Sequence, residues 1–170
     1  DGLVIKMEMK GIEFREEKVT AYSGENWDDL VAQAVERGLY GLENLSGIPG
    51  TVGASPIQNI GAYGGEVKDT IESLYLLDTK KDQYVTFTNA DCKFSYRSSI
   101  FKENPRRYIV ISVTFNLNKK GKLNLEYKDL KEYFKNEKEP SLKQVRNAVI
   151  EIRKGKFPDL SQVGTAGSFF

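Results

Sequence analysis

The 170-residue sequence has no histidine and a single cysteine, Cys92. One thiol excludes an internal disulfide. Without histidine, the chain can build neither a Cys/His zinc site nor a triad with an imidazole base. Any acid or base must therefore come from Ser, Tyr, Lys, Cys, Asp or Glu. Net charge is also small: 25 Lys and Arg against 24 Asp and Glu leave +1. A general nucleic-acid binder shows a clear basic excess, so no nucleic-acid partner is expected. Long apolar runs are missing as well. Tyr108 to Leu117 is interrupted by Ser112, Thr114 and Asn116, and falls short of the roughly 18 residues of a membrane span. With no recognisable secretory leader, the simplest compartment is the reducing cytoplasm, away from any membrane.

What remains has the composition of a soluble globular domain. Short antiparallel strands are expected in residues 3–9 and 11–22, around Gly11. Asn26 is placed to cap a helix whose Leu30, Val31, Ala34 and Val35 share one face and which stops at Gly38. Strands are expected over Ile71–Asp78 and Gln83–Thr88, with a charged turn between them. Residues 89–107 read as irregular with a short helix, and Tyr108–Leu117 as the strongest strand. Leu123–Tyr127 is expected to pair back, and Asp129–Phe134 to form a short helix. Ser141 with Gln144 is a capping-box signal. It opens a helix whose apolar stripe is Leu142, Val145, Val149 and Ile152 and which ends near Gly155. Strands and helices do not alternate regularly, so the expected class is α+β, with a mostly antiparallel sheet and flanking helices. The chain starts at Asp1-Gly2 and stops on Ser168-Phe169-Phe170, an aromatic pair with little to bury against. A piece of a longer protein is expected.

Between Gly38 and Gly65 neither the helical nor the strand period survives. The run GLYGLENLSGIPGTVGASPIQNIGAYGG holds eight glycines in 28 residues and one charge, Glu43. Its apolar residues exclude a solvated linker. Glycine removes the Cβ that blocks close approach and permits positive φ, so such a run can wrap a flat ring or aim several N–H groups at one anion. It can equally be a structural loop packed on the sheet. It contains neither G-x-G-x-x-G nor G-x-x-x-x-G-K-[ST], so the Rossmann and P-loop readings fail.

Four further positions invite a functional reading beside a plain one. Arg97, in Phe-Ser-Tyr-Arg-Ser-Ser-Ile-Phe, is either a surface arginine or a permanent cation aimed at developing negative charge. Lys156 follows Arg153 and Lys154 near a helix C-terminus, where cations are favoured in any case. Ser168, after small residues in Gly-Thr-Ala-Gly-Ser-Phe-Phe, is either a turn serine or a hydroxyl that can approach a ligand closely. Tyr127, in Leu-Glu-Tyr-Lys-Asp-Leu, reads equally as a strand-end tyrosine.

IPGTVGASPIQNIGAYG, Tyr96-Arg97 and Ala-Gly-Ser-Phe-Phe together resemble the signature segments of the UDP-N-acetylenolpyruvoylglucosamine reductase (MurB) family, flavoenzymes of peptidoglycan synthesis. The resemblance spans nearly the whole chain. It implies an FAD-binding domain of the vanillyl-alcohol-oxidase/PCMH-like type, with residues 1–160 as its second FAD-binding subdomain and 161–170 as the start of a substrate-binding domain. It implies FAD as cofactor, NADPH as co-substrate and UDP-N-acetylglucosamine enolpyruvate as substrate. By the same likeness Gly50, Val52, Gly53, Ser55, Pro56, Gln58, Asn59, Ile60, Gly61, Ala62 and Gly64 line the cofactor. Arg97 binds the substrate carboxylate and stabilises the enolate, and Ser168 donates the proton. Tyr96, Tyr127 and Lys156 meet the substrate. The family's first FAD-binding domain and its catalytic glutamate have no counterpart among these residues. An isolated flavin-binding or structural module, and another oxidoreductase of the same architecture, are the alternative readings.

Overall fold

A β-hairpin opens the fold in the computed structural model, which describes residues 4–137 and 139–156. Its strands are β1 (Ile12–Arg15) and β2 (Lys18–Tyr22), joined through Glu16 at φ 55°. Helix α1 follows (Trp27–Glu36). The Asn26 side chain accepts from the Asp28 and Asp29 N–H groups, as the sequence predicts, and satisfies two otherwise unpaired donors. A second hairpin joins β5 (Ile71–Asp78) to β6 (Gln83–Thr88), with the expected limits. Strand β7 (Tyr108–Asn116) then inserts between the hairpins, giving one antiparallel sheet of order β1-β2-β7-β5-β6.

Register sorts the sheet into two faces. Val19 lies opposite Phe115, and Val113 lies between Ala21 and Leu74. These residues and Leu76 are buried together with Trp27, Leu30, Val31, Ala34 and Val35 of α1. Trp27 sets the edge of its ring against Phe115, with centroids 5.9 Å apart. The other face is polar: Thr20 and Thr114 share a 2.9 Å hydroxyl hydrogen bond, and Tyr22, Tyr75 and Tyr84 are exposed. One apolar face packed under a helix, and one wet, is the α+β arrangement expected.

The chain then adds α2 (Ile100–Glu103), α3 (Lys128–Tyr133) and α4 (Leu142–Lys156). The expected box at α4 is formed: Ser141 N–H donates to Gln144 Oε1 at 2.7 Å, and Gln144 N–H to Ser141 Oγ at 3.3 Å. Val145, Ala148 and Val149 of α4 bury a second apolar cluster with Leu130, Phe134 and Tyr63. Arg146 ties α4 to α1 through both oxygens of Asp28, at 2.7 and 2.8 Å.

Two expected strands are not formed. Residues 4–11 join no ladder; Gly24 N–H donates to Met9 C=O at 3.0 Å, and a side chain at Gly24 would lie 2.7 Å from that oxygen. The segment is thus held by a close backbone approach. Leu123–Tyr127 does not pair back on β7 either. Leu123 and Leu125 lean on the apolar clusters, and the Asn124 carbonyl accepts from the Asn44 side chain at 2.8 Å. That carbonyl is satisfied by a side chain rather than by a ladder. Among the described residues no helix is long and apolar enough to cross a membrane.

Candidate functional site

The glycine-rich run is neither helix nor sheet, yet it is closely held. It contains 3-10 turns at Glu43–Leu45 and Val52–Ala54 and a minimal hairpin of β3 (Gly61–Ala62) with β4 (Gly65–Glu66). The run is docked on the sheet end by Val52 N–H to Glu25 C=O at 2.9 Å and Gly53 N–H to Ser23 C=O at 3.0 Å. The N–H groups of Ala54, Ser55, Ile57, Asn59 and Ile60 close turns on Thr51, Val52, Ala54, Pro56 and Ser55 carbonyls. Those donors are committed within the chain and do not form an anion nest.

The glycines serve different ends. At Gly53 a Cβ would lie 2.5 Å from Ser23 Cβ and 3.0 Å from its Cα, so glycine is required for packing on Ser23, just after β2. At Gly50 nothing stands within 4 Å of the Cβ position, and φ is +126°, so there the backbone conformation demands glycine.

Tyr96 and Arg97 occupy the tip of a tight turn. Ser98 N–H donates to Ser95 C=O at 3.2 Å, Ser95 N–H returns to Ser98 C=O at 3.1 Å, and Arg97 lies at φ +51°. Three side chains lace this turn to the run. Asn59 Nδ2 donates to Ser95 C=O at 3.0 Å, Ser99 Oγ to Ile57 C=O at 2.6 Å, and Arg97 Nη2 to Gly61 C=O at 2.6 Å. Gly61 leaves room for that guanidinium, since a Cβ there would lie 2.8 Å from Arg97 Nη1. Tyr96 is 77% exposed, and the Arg97 guanidinium stands 5.3 Å from its ring centroid. The two motifs that the sequence singled out are therefore neighbours.

Tyr127 and Lys156 gather farther along the same run. The Tyr127 ring meets Tyr63 edge-on, with centroids 5.2 Å apart. Lys156 pairs with Asp129, whose carboxylate raises the lysine pKa above its ordinary value. Burial pushes the Tyr63 phenol up. Asn44 was not marked by the sequence reading, yet it fixes this side: buried, it donates to Tyr63 C=O at 2.7 Å as well as to Asn124. An asparagine between Leu42 and Leu45 was the available signal. Ser99 was missed too; its Oγ also accepts from Phe101 N–H at the start of α2.

Of the other positions named from sequence, Gly50, Gln58 and Gly64 are exposed, while Gly53, Ile60, Gly61 and Ala62 are half-buried. Val52, Ser55, Pro56 and Asn59 are buried. Ser168 and the boundary at 161 lie outside the described residues. The run's exposed residues are Gly38, Gly41, Pro49, Gly50, Ala54, Gln58 and Gly64, none of them charged. Small, uncharged residues of this kind, with the Arg97 cation on Gly61, are chemically compatible with the flat ring of FAD. The committed N–H groups do not fit its pyrophosphate at Val52–Ile60.

A family described as FAD binding domain matches residues 1–88. A UDP-N-acetylenolpyruvoylglucosamine reductase of Bdellovibrio bacteriovorus is 49% identical over 177 residues, covering 100% of this chain and 53% of its own length. One from Neisseria gonorrhoeae is 47% identical over 179 residues, covering 100% and 52%. The chain thus spans about half the length of the curated relatives it matches. The crystal structure of the MurB reductase from Thermus caldophilus superposes with a TM-score of 0.58 at 26% identity, over 78% of this chain and 42% of that one. The chain belongs to the FAD binding domain family, and over its whole length it is similar to UDP-N-acetylenolpyruvoylglucosamine reductases.

Proposed function

We propose that this chain is the central part of a cytoplasmic UDP-N-acetylenolpyruvoylglucosamine reductase of cell-wall synthesis. The protein would use NADPH to convert UDP-N-acetylglucosamine enolpyruvate to UDP-N-acetylmuramate. Bound FAD would supply the two-electron carrier between the nicotinamide and the substrate double bond. In this reading residues 1–160 form the second FAD-binding subdomain, and Gly50–Gly64 forms one wall of the cofactor site. Gly50, Gln58, Gly61, Ala62 and Gly64 offer its accessible surface, and Val52, Gly53, Ser55, Pro56, Asn59 and Ile60 hold its shape.

The observation that carries the reading is the Arg97 guanidinium resting on the Gly61 carbonyl. A permanent cation at the edge of such a wall would bind a carboxylate. It would also stabilise the enolate left after reduction. Ser168 would deliver a proton to the enolate carbon. Tyr96, Tyr127 and Lys156 would hold the nucleotide sugar, with Lys156 drawn from Asp129 by the diphosphate.

Arg97→Lys and Ser168→Ala in the full-length protein test this. Each should leave flavin reduction by NADPH near the wild-type rate. Each should slow anaerobic flavin reoxidation by the enolpyruvyl sugar by about a hundredfold or more. Retained reoxidation in both variants overturns the assignment.

The committed N–H groups of Val52–Ile60 favour a second reading for residues 1–170 taken alone, as a structural half-site. Such a piece, purified, would be colourless and would gain no thermal stability from added FAD. A yellow preparation would count against it.

A further inference from the structure

Arg97 occupies a backbone position that disfavours it. It is the third residue of the Ser95–Ser98 turn and lies at φ +51°. Turns with positive φ there ordinarily use glycine or asparagine. Holding a larger residue in that region is strained and persists only where surrounding contacts enforce it.

The enforcing contacts come from the glycine-rich run, and Asn59 is their centre. Asn59 is fully buried, at 0% exposure. Its Nδ2 donates to the Ser95 carbonyl, the first residue of the turn, at 3.0 Å. Its Oδ1 accepts from Lys68 N–H at 3.1 Å, anchoring the amide to the segment after β4. The residue lies at φ +46°, a conformation asparagine tolerates well. Both ends of its amide are thus committed inside the chain. On the far side of the turn, Ser99 Oγ makes the second attachment to the same run, on Ile57 C=O.

We propose that Asn59 is a positioning residue for Arg97. It docks the Ser95–Ser98 turn on the glycine-rich run, and so sets where the guanidinium stands. The proposal rests on the reading in which Arg97 meets the substrate, and extends it to a side chain whose amide is bonded at both ends within the chain.

Asn59→Gly in the full-length protein removes the amide without a φ penalty. Asn59→Asp keeps the acceptor for Lys68 N–H and deletes the donor to Ser95. Hydrogen exchange gives the first readout and needs no activity. Both variants should speed exchange across residues 95–101 at least tenfold and leave β5 and β7 protected. Unchanged exchange at 95–101 overturns the proposal.

Half-reaction kinetics give the second readout. In the FAD-bound fraction of each variant, reoxidation by the enolpyruvyl sugar should slow far more than reduction by NADPH. Reoxidation by the enolpyruvyl sugar should fall by about a hundredfold, the effect of a misplacement of about 1 Å. Adding Asn59→Gly to Arg97→Ala should cost nothing further, because the two act as one unit. Equal slowing of the two half-reactions, or multiplying effects, would each overturn the proposal. An Arg97→Ala protein that still turns over normally would instead sink the proposed function, while hydrogen exchange would still decide whether Asn59 holds the turn.

Discussion

Backbone polar groups are satisfied differently in the sheet and in the glycine-rich run. In β2, β5 and β7 each strand finds its partners in a neighbouring strand, and alternation sends Val19, Leu74, Val113 and Phe115 inward. In Gly38–Gly65 the partners are scattered: turn carbonyls, the sheet end at Ser23 and Glu25, and the side chains of Asn44, Trp27, Ser99 and Arg97. The ladder repeats, so it tolerates many sequences with the same pattern. The run does not repeat, and each tie depends on one residue type. A region specified tie by tie can hold a backbone carbonyl such as that of Gly61 under a guanidinium; a ladder has already used its carbonyls.

The largest effect is expected where the two regions meet. Trp27 is buried against Phe115 of the sheet, and its Nε1–H donates to Leu45 C=O of the run at 2.9 Å. Trp27→Ala should cost about 3–5 kcal/mol and loosen both regions together. Denaturant unfolding with hydrogen exchange over 42–65 checks this. Exchange confined to α1 and β7 would show the regions to be independent.

Gly53→Ala comes next. The added methyl would press on Ser23 Cβ and backbone, at a cost of about 1–3 kcal/mol. The thermal midpoint should fall, with the exchange change centred on 50–60. No change would mean that the run docks less closely than the Gly53–Ser23 contact implies.

Asp28 sharpens the comparison through pH. Burial raises its pKa, but hydrogen bonds from Arg146 and Gly47 N–H and the charges of Arg146 and Arg153 outweigh this and hold it below its ordinary value. A depressed carboxylate contributes stability that is present above its unfolded pKa, about 4. That contribution is lost as pH falls through the folded pKa. Asp28→Asn should lower stability by about 1–2 kcal/mol at pH 7 and by less at pH 3. Equal losses at both pH values would contradict the assignment.

The smallest effect belongs to a purely local signal. Ser141→Ala removes the α4 cap and should cost about 1 kcal/mol, with Ser141→Thr restoring most of it. Because α4 carries Arg146 and Lys156, a larger loss would mean that fraying spreads to the Asp28 and Asp129 pairs.

Legibility from sequence follows this contrast. β5 and β6 were readable to the residue, because alternating β-branched and aromatic residues end at a charged turn. The caps Asn26 and Ser141 were readable because a cap needs only its next few neighbours. Residues 4–11 and Leu123–Tyr127 have the same local pattern, yet their hydrogen bonds go to Gly24 and Asn44, which lie far away or act through side chains. At the site, residue order brought Tyr96, Arg97 and the glycine-rich run forward together. It did not show that Gly53 serves packing, that Val52–Ile60 spends most of its N–H groups internally, or that Lys156 stands paired with Asp129.

The sequence by itself determined the α+β class, the caps and periods of the main elements, and the family likeness carried by three short motifs. Each of these depends on residues within a few positions of one another. Only the tertiary structure decided where the irregular backbone finds its partners. Ser23 lies 30 residues before Gly53, and Ser95 lies 36 after Asn59. A hydrogen bond between such positions exists only once the sheet has brought them together.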